Sequence, residues 1–133
     1  VGNSPPKLVG MMRILPKKKD KFFVYSLEIK RDWQNQVEYE CPALLEARVL
    51  KKLADFSLKA FEILGCRDFA RLDFRLDQKG MPYFLEINPL PGLNPKSSDL
   101  PIMAYKMGWN YQELISSVLN AALERYPEHR VAY

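Results

Sequence analysis

The 133 residues carry 20 Lys and Arg against 16 Asp and Glu, a formal charge of +4. That suits a small anion but falls short of the basic surface that nucleic-acid binding needs. The length fits one ordinary domain and not two cores, and 47% apolar with 27% charged residues excludes a disordered chain. Two cysteines, Cys41 and Cys66, and one histidine, His129, form no disulfide framework and no Cys/His metal or catalytic cluster.

No apolar run approaches the roughly 18 residues that a bilayer-spanning helix requires. The start, Val1 to Pro6, lacks the basic and apolar blocks of a signal peptide. The expectation is a cytoplasmic chain with no membrane partner. Because it begins with Val1 and not Met, it is also expected to be a piece of a longer polypeptide.

In chain order, Lys7 to Leu15 and Phe22 to Lys30 favour strand, with Pro16-Lys17-Lys18-Lys19-Asp20 as an exposed hairpin turn between them. Arg31 to Glu40 reads as a loop ending at Cys41-Pro42, where proline can open a helix. Leu50, Leu53, Ala54, Ser57, Phe61 and Leu64 follow at helical steps, and Gly65 supplies the left-handed stop. Phe69 to Leu76 alternates strictly, with Ala70, Leu72, Phe74 and Leu76 on one face and Phe69, Arg71, Asp73 and Arg75 on the other. After the turn Asp77-Gln78-Lys79-Gly80, Tyr83, Leu85 and Ile87 take one side of the next strand, and Phe84, Glu86 and Asn88 the other. A hairpin that aligns the apolar faces also brings Arg71, Asp73, Glu86 and Asn88 onto a common surface.

Pro89 to Pro95 is too proline-rich for regular structure, so the chain leaves the sheet in a rigid loop just where the polar cluster ends. Ser98 or Asp99 can cap a short helix running to Gly108. Asn110-Tyr111-Gln112-Glu113 fits a capping box for a last helix, with Leu114, Ile115, Val118 and Ala122 as its buried stripe and Pro127 as its end. The expected fold is α+β: an antiparallel sheet built from the N-terminal hairpin and the 69–88 hairpin, with helices packed on its apolar face.

Asp73, Glu86 and Asn88 offer only oxygen donors, the set that Mg2+ prefers and Zn2+ does not. A cation beside Arg71 makes sense when a polyphosphate lies between the two and is neutralised from both sides. On residue types alone, a salt-bridged exterior strand face explains the same pattern.

Arg71-Leu72-Asp73-Phe74, then Gly80, then Glu86-Ile87-Asn88-Pro89-Leu90-Pro91-Gly92-Leu93, resembles the closing segment of ATP-grasp enzymes, and most closely that of the D-alanine-D-alanine ligase family. Tyr39-Glu40-Cys41-Pro42-Ala43 resembles that family's segment ahead of its long helix, and Tyr25 with Lys30 resembles its preceding Tyr and Lys. The likeness runs from about Val1 to Arg125. It implies that this is a C-terminal lobe of an ATP-dependent carboxylate-amine ligase, in which a carboxylate attacks the γ-phosphate to give an acyl phosphate that an amine then displaces.

The resemblance further implies that Asp73 holds one Mg2+, Glu86 bridges two and Asn88 completes the second, with Mn2+ as a substitute. It gives Arg71 the γ-phosphate, Lys30 a further contact to ATP, the Gly92 N–H the oxyanion, and Ser98 the acceptor's carboxylate. ATP, small amino-acid-like substrates and an upstream lobe of the same protein are the implied partners, with homodimerisation left open. In that family the adenine hinge, the phosphate loop and the donor-substrate domain lie upstream of the counterpart of Val1, so 1–133 alone is expected to turn over little or not at all.

Two positions depart from the family pattern. Pro89 follows Asn88 where a small hydroxyl residue is usual, and Asp99 sits beside Ser98 where its charge would repel an acceptor carboxylate. The spacing from Gly92 to Ser98 is also longer by a residue. A D-alanine ligase and a related ligase with another acceptor both remain open. The alternative from another class is a nonenzymatic nucleotide-binding or interaction module with vestigial ligands. Lys30 also reads as an ordinary strand-end charge and Ser98 as a plain helix N-cap. Nucleic-acid binding through Lys17, Lys18 and Lys19 is disfavoured because no aromatic residues interleave with them.

Overall fold

The computed structural model describes residues 1–18 and 23–129. The first strand, β1 (Arg13–Pro16), does not pair with the 22–30 segment as the sequence suggested. That stretch instead contains a short helix, α1 (Leu27–Arg31), because Ser26 caps it by accepting a hydrogen bond from the Ile29 N–H at 3.4 Å and Glu28 lies in its first turn. Lys19 and Asp20 of the expected turn, and Phe22 of the expected strand, lie outside the described residues.

The partner of β1 comes from the presumed loop. After a second short helix, α2 (Trp33–Gln36), β2 (Val37–Glu40) runs antiparallel to β1 with Arg13 opposite Glu40 and Pro16 opposite Val37. Val37 and Tyr39 are buried while Glu38 is exposed. Trp33 stacks on Tyr39 at 4.7 Å between ring centroids.

Pro42 does not open the long helix. Ala43 N–H donates to the Met11 carbonyl at 3.0 Å and Leu44 N–H to Glu40 Oε1 at 2.9 Å, so this stretch is bonded back to the strand pair. Helix α3 starts later, spanning Ala47–Ile63 with Val49, Leu53 and Phe61 buried. Gly65 then takes φ +65°, the left-handed conformation that ends a helix without Cβ strain.

The second sheet is the expected hairpin, β3 (Arg71–Leu76) with β4 (Pro82–Asn88). Asp77 Oδ1 closes its turn, accepting from the N–H groups of Lys79 and Met81 at 2.8 Å each. Arg71 lies opposite Asn88, and Asp73 opposite Glu86. The register then shifts by one at Leu85, so Phe74 pairs with Phe84. This bulge corrects the simple alternation, since Phe84 leaves the face of Glu86 and makes an edge-on contact with Phe74 at 5.7 Å.

Helix α4 (Asp99–Lys106) and helix α5 (Tyr111–Arg125) close the fold, followed by a single 3-10 turn, Pro127–His129. The capping box at α5 is formed in both directions: Glu113 N–H donates to Asn110 Oδ1 at 2.9 Å and Asn110 N–H to Glu113 Oε2 at 2.6 Å. The main core gathers Val9, Phe69, Leu100, Ala104 and Leu114, with Leu93, Trp109 and Val118 packed around it. The architecture is α+β as expected, but among the described residues there are two separate two-stranded antiparallel sheets in place of one. Among the described residues no helix is long and apolar enough to cross a membrane.

Candidate metal and phosphate site

The hairpin register delivers the predicted quartet to one surface. Arg71 and Asp73 are two apart on β3 and so share a face, and their cross-strand partners Asn88 and Glu86 share it with them. Arg71 grips Asp73 with a two-point fork, Nε to Oδ1 at 2.9 Å and Nη2 to Oδ2 at 2.7 Å. Nη2 also reaches Glu86 Oε1 at 3.4 Å, while the Glu86 side chain keeps 62% exposure and faces solvent.

The third carboxylate on Arg71 is Asp99, which the sequence offered as a helix cap or as a charge repelling the acceptor. Nη1 of Arg71 donates to Asp99 Oδ2 at 3.1 Å. Asp99 is 5% exposed, and its Oδ1 accepts from Tyr39 Oη at 2.9 Å and from Tyr25 Oη at 3.3 Å. The two phenol oxygens also lie within hydrogen-bonding distance of one another, so two hydroxyl protons are shared among three contacts and one phenol donates to its neighbour or to Asp99 in alternation. Burial pushes the Tyr25 phenol up to about 12, with the Asp99 charge adding to the rise, and drives Tyr39 up as well, so both stay protonated donors. Burial works against the charge on Arg71, but hydrogen bonds and attraction from Asp73, then Asp99 and Glu86, outweigh it and raise its pKa.

Asp99 therefore points inward to a guanidinium and two hydroxyls. This corrects the expectation that its charge would face and repel an acceptor's carboxylate. The sequence signal was available in weak form: an acid followed by Leu100-Pro101-Ile102 at a helix start sits in apolar surroundings, and Val37 and Tyr39 alternate with Glu38 and Glu40 as a half-buried strand does.

Around the following loop, Asn88 Oδ1 accepts from the Leu90 N–H at 3.0 Å, and Tyr111 Oη donates to the Leu93 carbonyl at 2.9 Å. Ser98 occupies the N-cap position of α4 but makes no side-chain cap bond. Its Oγ instead accepts from the Asn94 N–H at 3.1 Å. Gly92 lies against Ser98, and a Cβ built on Gly92 would fall 2.6 Å from Ser98 Oγ. The two sequence-selected loop residues are thus brought together. Lys30 lies in α1, not at a strand end, and its side chain is outside the described residues.

The donor chemistry fits a hard divalent cation. Asp73 and Glu86 supply opposed carboxylates, and the Asn88 amide oxygen keeps a second lone pair beyond its bond to Leu90. Among the described residues no three His, Cys, Asp or Glu side chains form a metal-ligating group, so the set amounts to two carboxylates plus an amide.

The sequence profile described as the D-ala D-ala ligase C-terminus matches residues 1–120. The chain belongs to that family. It is 42% identical over 86 residues to the uncharacterized protein y4sG of Sinorhizobium fredii, covering 65% of this chain and 25% of that protein. It is 41% identical over 90 residues to the D-alanine–D-alanine ligase of Paraburkholderia phytofirmans, covering 68% of this chain and 28% of the ligase. The crystal structure of the D-alanine–D-alanine ligase from Bacillus anthracis complexed with ATP superposes with a TM-score of 0.61 at 29% identity, over 71% of this chain and 32% of that one. The chain thus spans about a quarter to a third of the length of these relatives.

Proposed function

We propose that this chain supplies the metal- and phosphate-binding face of an ATP-dependent ligase that joins a carboxylate to an amine, with D-alanine as the first substrate to test. The carrying observation is the convergence of Arg71, Asp73, Glu86 and Asn88 on one hairpin face, in a register where each acid or amide opposes its partner. Asp73, Glu86 and Asn88 would hold Mg2+, with Mn2+ able to replace it. The cation would supply charge neutralisation for the phosphoryl group being transferred. Arg71 adds a fixed positive charge on the same face, the arrangement that phosphoryl transfer needs. The Gly92 N–H and Ser98 Oγ, adjacent in the loop that follows, are the groups placed to meet an oxyanion and an acceptor carboxylate.

The inward turn of Asp99 supports an acceptor that carries a carboxylate, because the acid next to Ser98 in sequence is buried and paired with Arg71 and does not stand exposed beside the serine. In this reading the nucleotide is clasped between this lobe and an upstream lobe of the same protein, and residues 1–133 alone turn over little. The test is phosphate release from MgATP by the full-length protein with D-alanine and with other amino acids. Asp73→Asn and Glu86→Gln should each lower kcat/KM by about 100-fold or more, beyond the 10- to 100-fold typical of groups that merely orient metal ligands. Unchanged rates in both variants would overturn the assignment.

A further inference from the structure

Arg71 is claimed from two sides. Its Nε and Nη2 cover both oxygens of Asp73, and its Nη1 rests on Asp99. If Asp73 is a cation ligand, the Arg71 fork and the cation compete for the same lone pairs. Withdrawing Asp73 would leave a guanidinium that is only 21% exposed with Glu86 at 3.4 Å as its other partner on the hairpin, and Glu86 belongs to the same donor set. A buried, unpaired charge is costly. Asp99 removes that cost, because it lies 3.1 Å from Arg71 Nη1 and its low exposure keeps its attraction for the guanidinium unscreened.

We propose that Asp99 is a positioning residue: a buried counter-anion that retains Arg71 when Asp73 turns from the arginine to a divalent cation. This deepens the reading above, since it rests on Asp73 and Glu86 being cation ligands. Asp99 touches neither cation nor nucleotide in this scheme and acts through Arg71.

The experiment uses Mn2+ alone, without nucleotide or amino acid, with the full-length protein and the free-ion electron paramagnetic resonance signal as readout. Asp99→Asn keeps the shape and an acceptor for the phenols but removes the charge. It should weaken Mn2+ binding about tenfold, the scale of one charge-assisted hydrogen bond. In an Arg71→Gln background the same change should alter Mn2+ affinity by less than about twofold, because the competitor is gone. The Tyr25→Phe/Tyr39→Phe pair retains the Asp99 charge and should not weaken binding, and it decides the matter if Asp99→Asn fails to fold. Unchanged affinity in Asp99→Asn, equal weakening in both Arg71 backgrounds, a tenfold loss in the phenylalanine pair, or no Mn2+ binding by the unmodified protein would each overturn the proposal. Phosphate release, measured separately, decides the ligase reading. A protein that releases none yet shows the Arg71-dependent effect of Asp99 loses that reading and keeps this one.

Discussion

Replacing Gly92 by Ala tests whether the loop after β4 owes its shape to a close approach to Ser98. Gly92 is not in the left-handed region, so the glycine is required by space, not by backbone angle. The added Cβ would lie 2.6 Å from Ser98 Oγ and 3.4 Å from Ser98 Cβ. The first contact is untenable, and the second is ordinary. Relief comes most simply by moving the Ser98 hydroxyl, which breaks its bond from the Asn94 N–H. Losing that hydrogen bond costs about 1 kcal/mol, and holding an off-rotamer side chain costs about 0.5–1.5 kcal/mol. Asn94 N–H is exposed and can turn to water, so the sum is about 1–2 kcal/mol of folding stability. Urea unfolding followed by circular dichroism measures it as a shift in midpoint. In a Ser98→Ala background the offending oxygen is absent, and Gly92→Ala should cost less than about 0.5 kcal/mol, giving a coupling near 1 kcal/mol. Equal costs in both backgrounds would refute the steric account and return Gly92 to a purely conformational role.

Two further perturbations probe the scaffold. Leu114 is fully buried at the junction of α4, α5 and Val9, so Leu114→Ala should cost about 2–5 kcal/mol by thermal or chemical unfolding, a large share of the total for a domain of this size. Asp68 accepts from Arg125 and Asn3, with the Arg125 bond the larger cause, and its pKa is held below the usual aspartate value. The stability it contributes is present in full above the unfolded-state pKa, about 3.9, and is lost as pH falls through the lower folded value. Asp68→Asn should therefore flatten the acid limb of the stability-against-pH curve while leaving a uniformly weaker protein near neutrality, and an unchanged acid limb would refute the assignment.

The parts of the fold that were legible are those where one local signal decides. The Asn110/Glu113 box, the Gly65 stop and the Asp77-to-Gly80 turn all rest on residues within a few positions of each other. The site quartet was legible for a related reason, since strict alternation in two strands joined by a short turn leaves few registers, and the bulge at Leu85 falls beyond the polar pairs and does not disturb them. The N-terminal half was misread because its pairing is not local. Phe23 to Lys30 carries strand-favouring residues, but Ser26 and Glu28 supply a helix start, and β1 finds β2 across more than twenty residues. Propensity has no means of choosing between two candidate partners when the choice is made by burial of Val37 and Tyr39.

Asp99 shows why charge read along a chain misleads at a site. Beside Ser98 in sequence, an acid implies repulsion of any acceptor carboxylate. In the fold, Ser98 is the extended N-cap and Asp99 the first residue of α4, so the backbone turns between them and their side chains diverge. The serine hydroxyl is left on the loop side with Gly92, and the aspartate is carried into the interior toward β2 and β3. An acid in that interior position requires compensation, and Arg71 of β3, Tyr39 of β2 and Tyr25 from the segment before α1 provide it. The same carboxylate that looked like an obstacle to the acceptor thereby ties α4 to the hairpin and fixes the arginine on which phosphoryl transfer would depend.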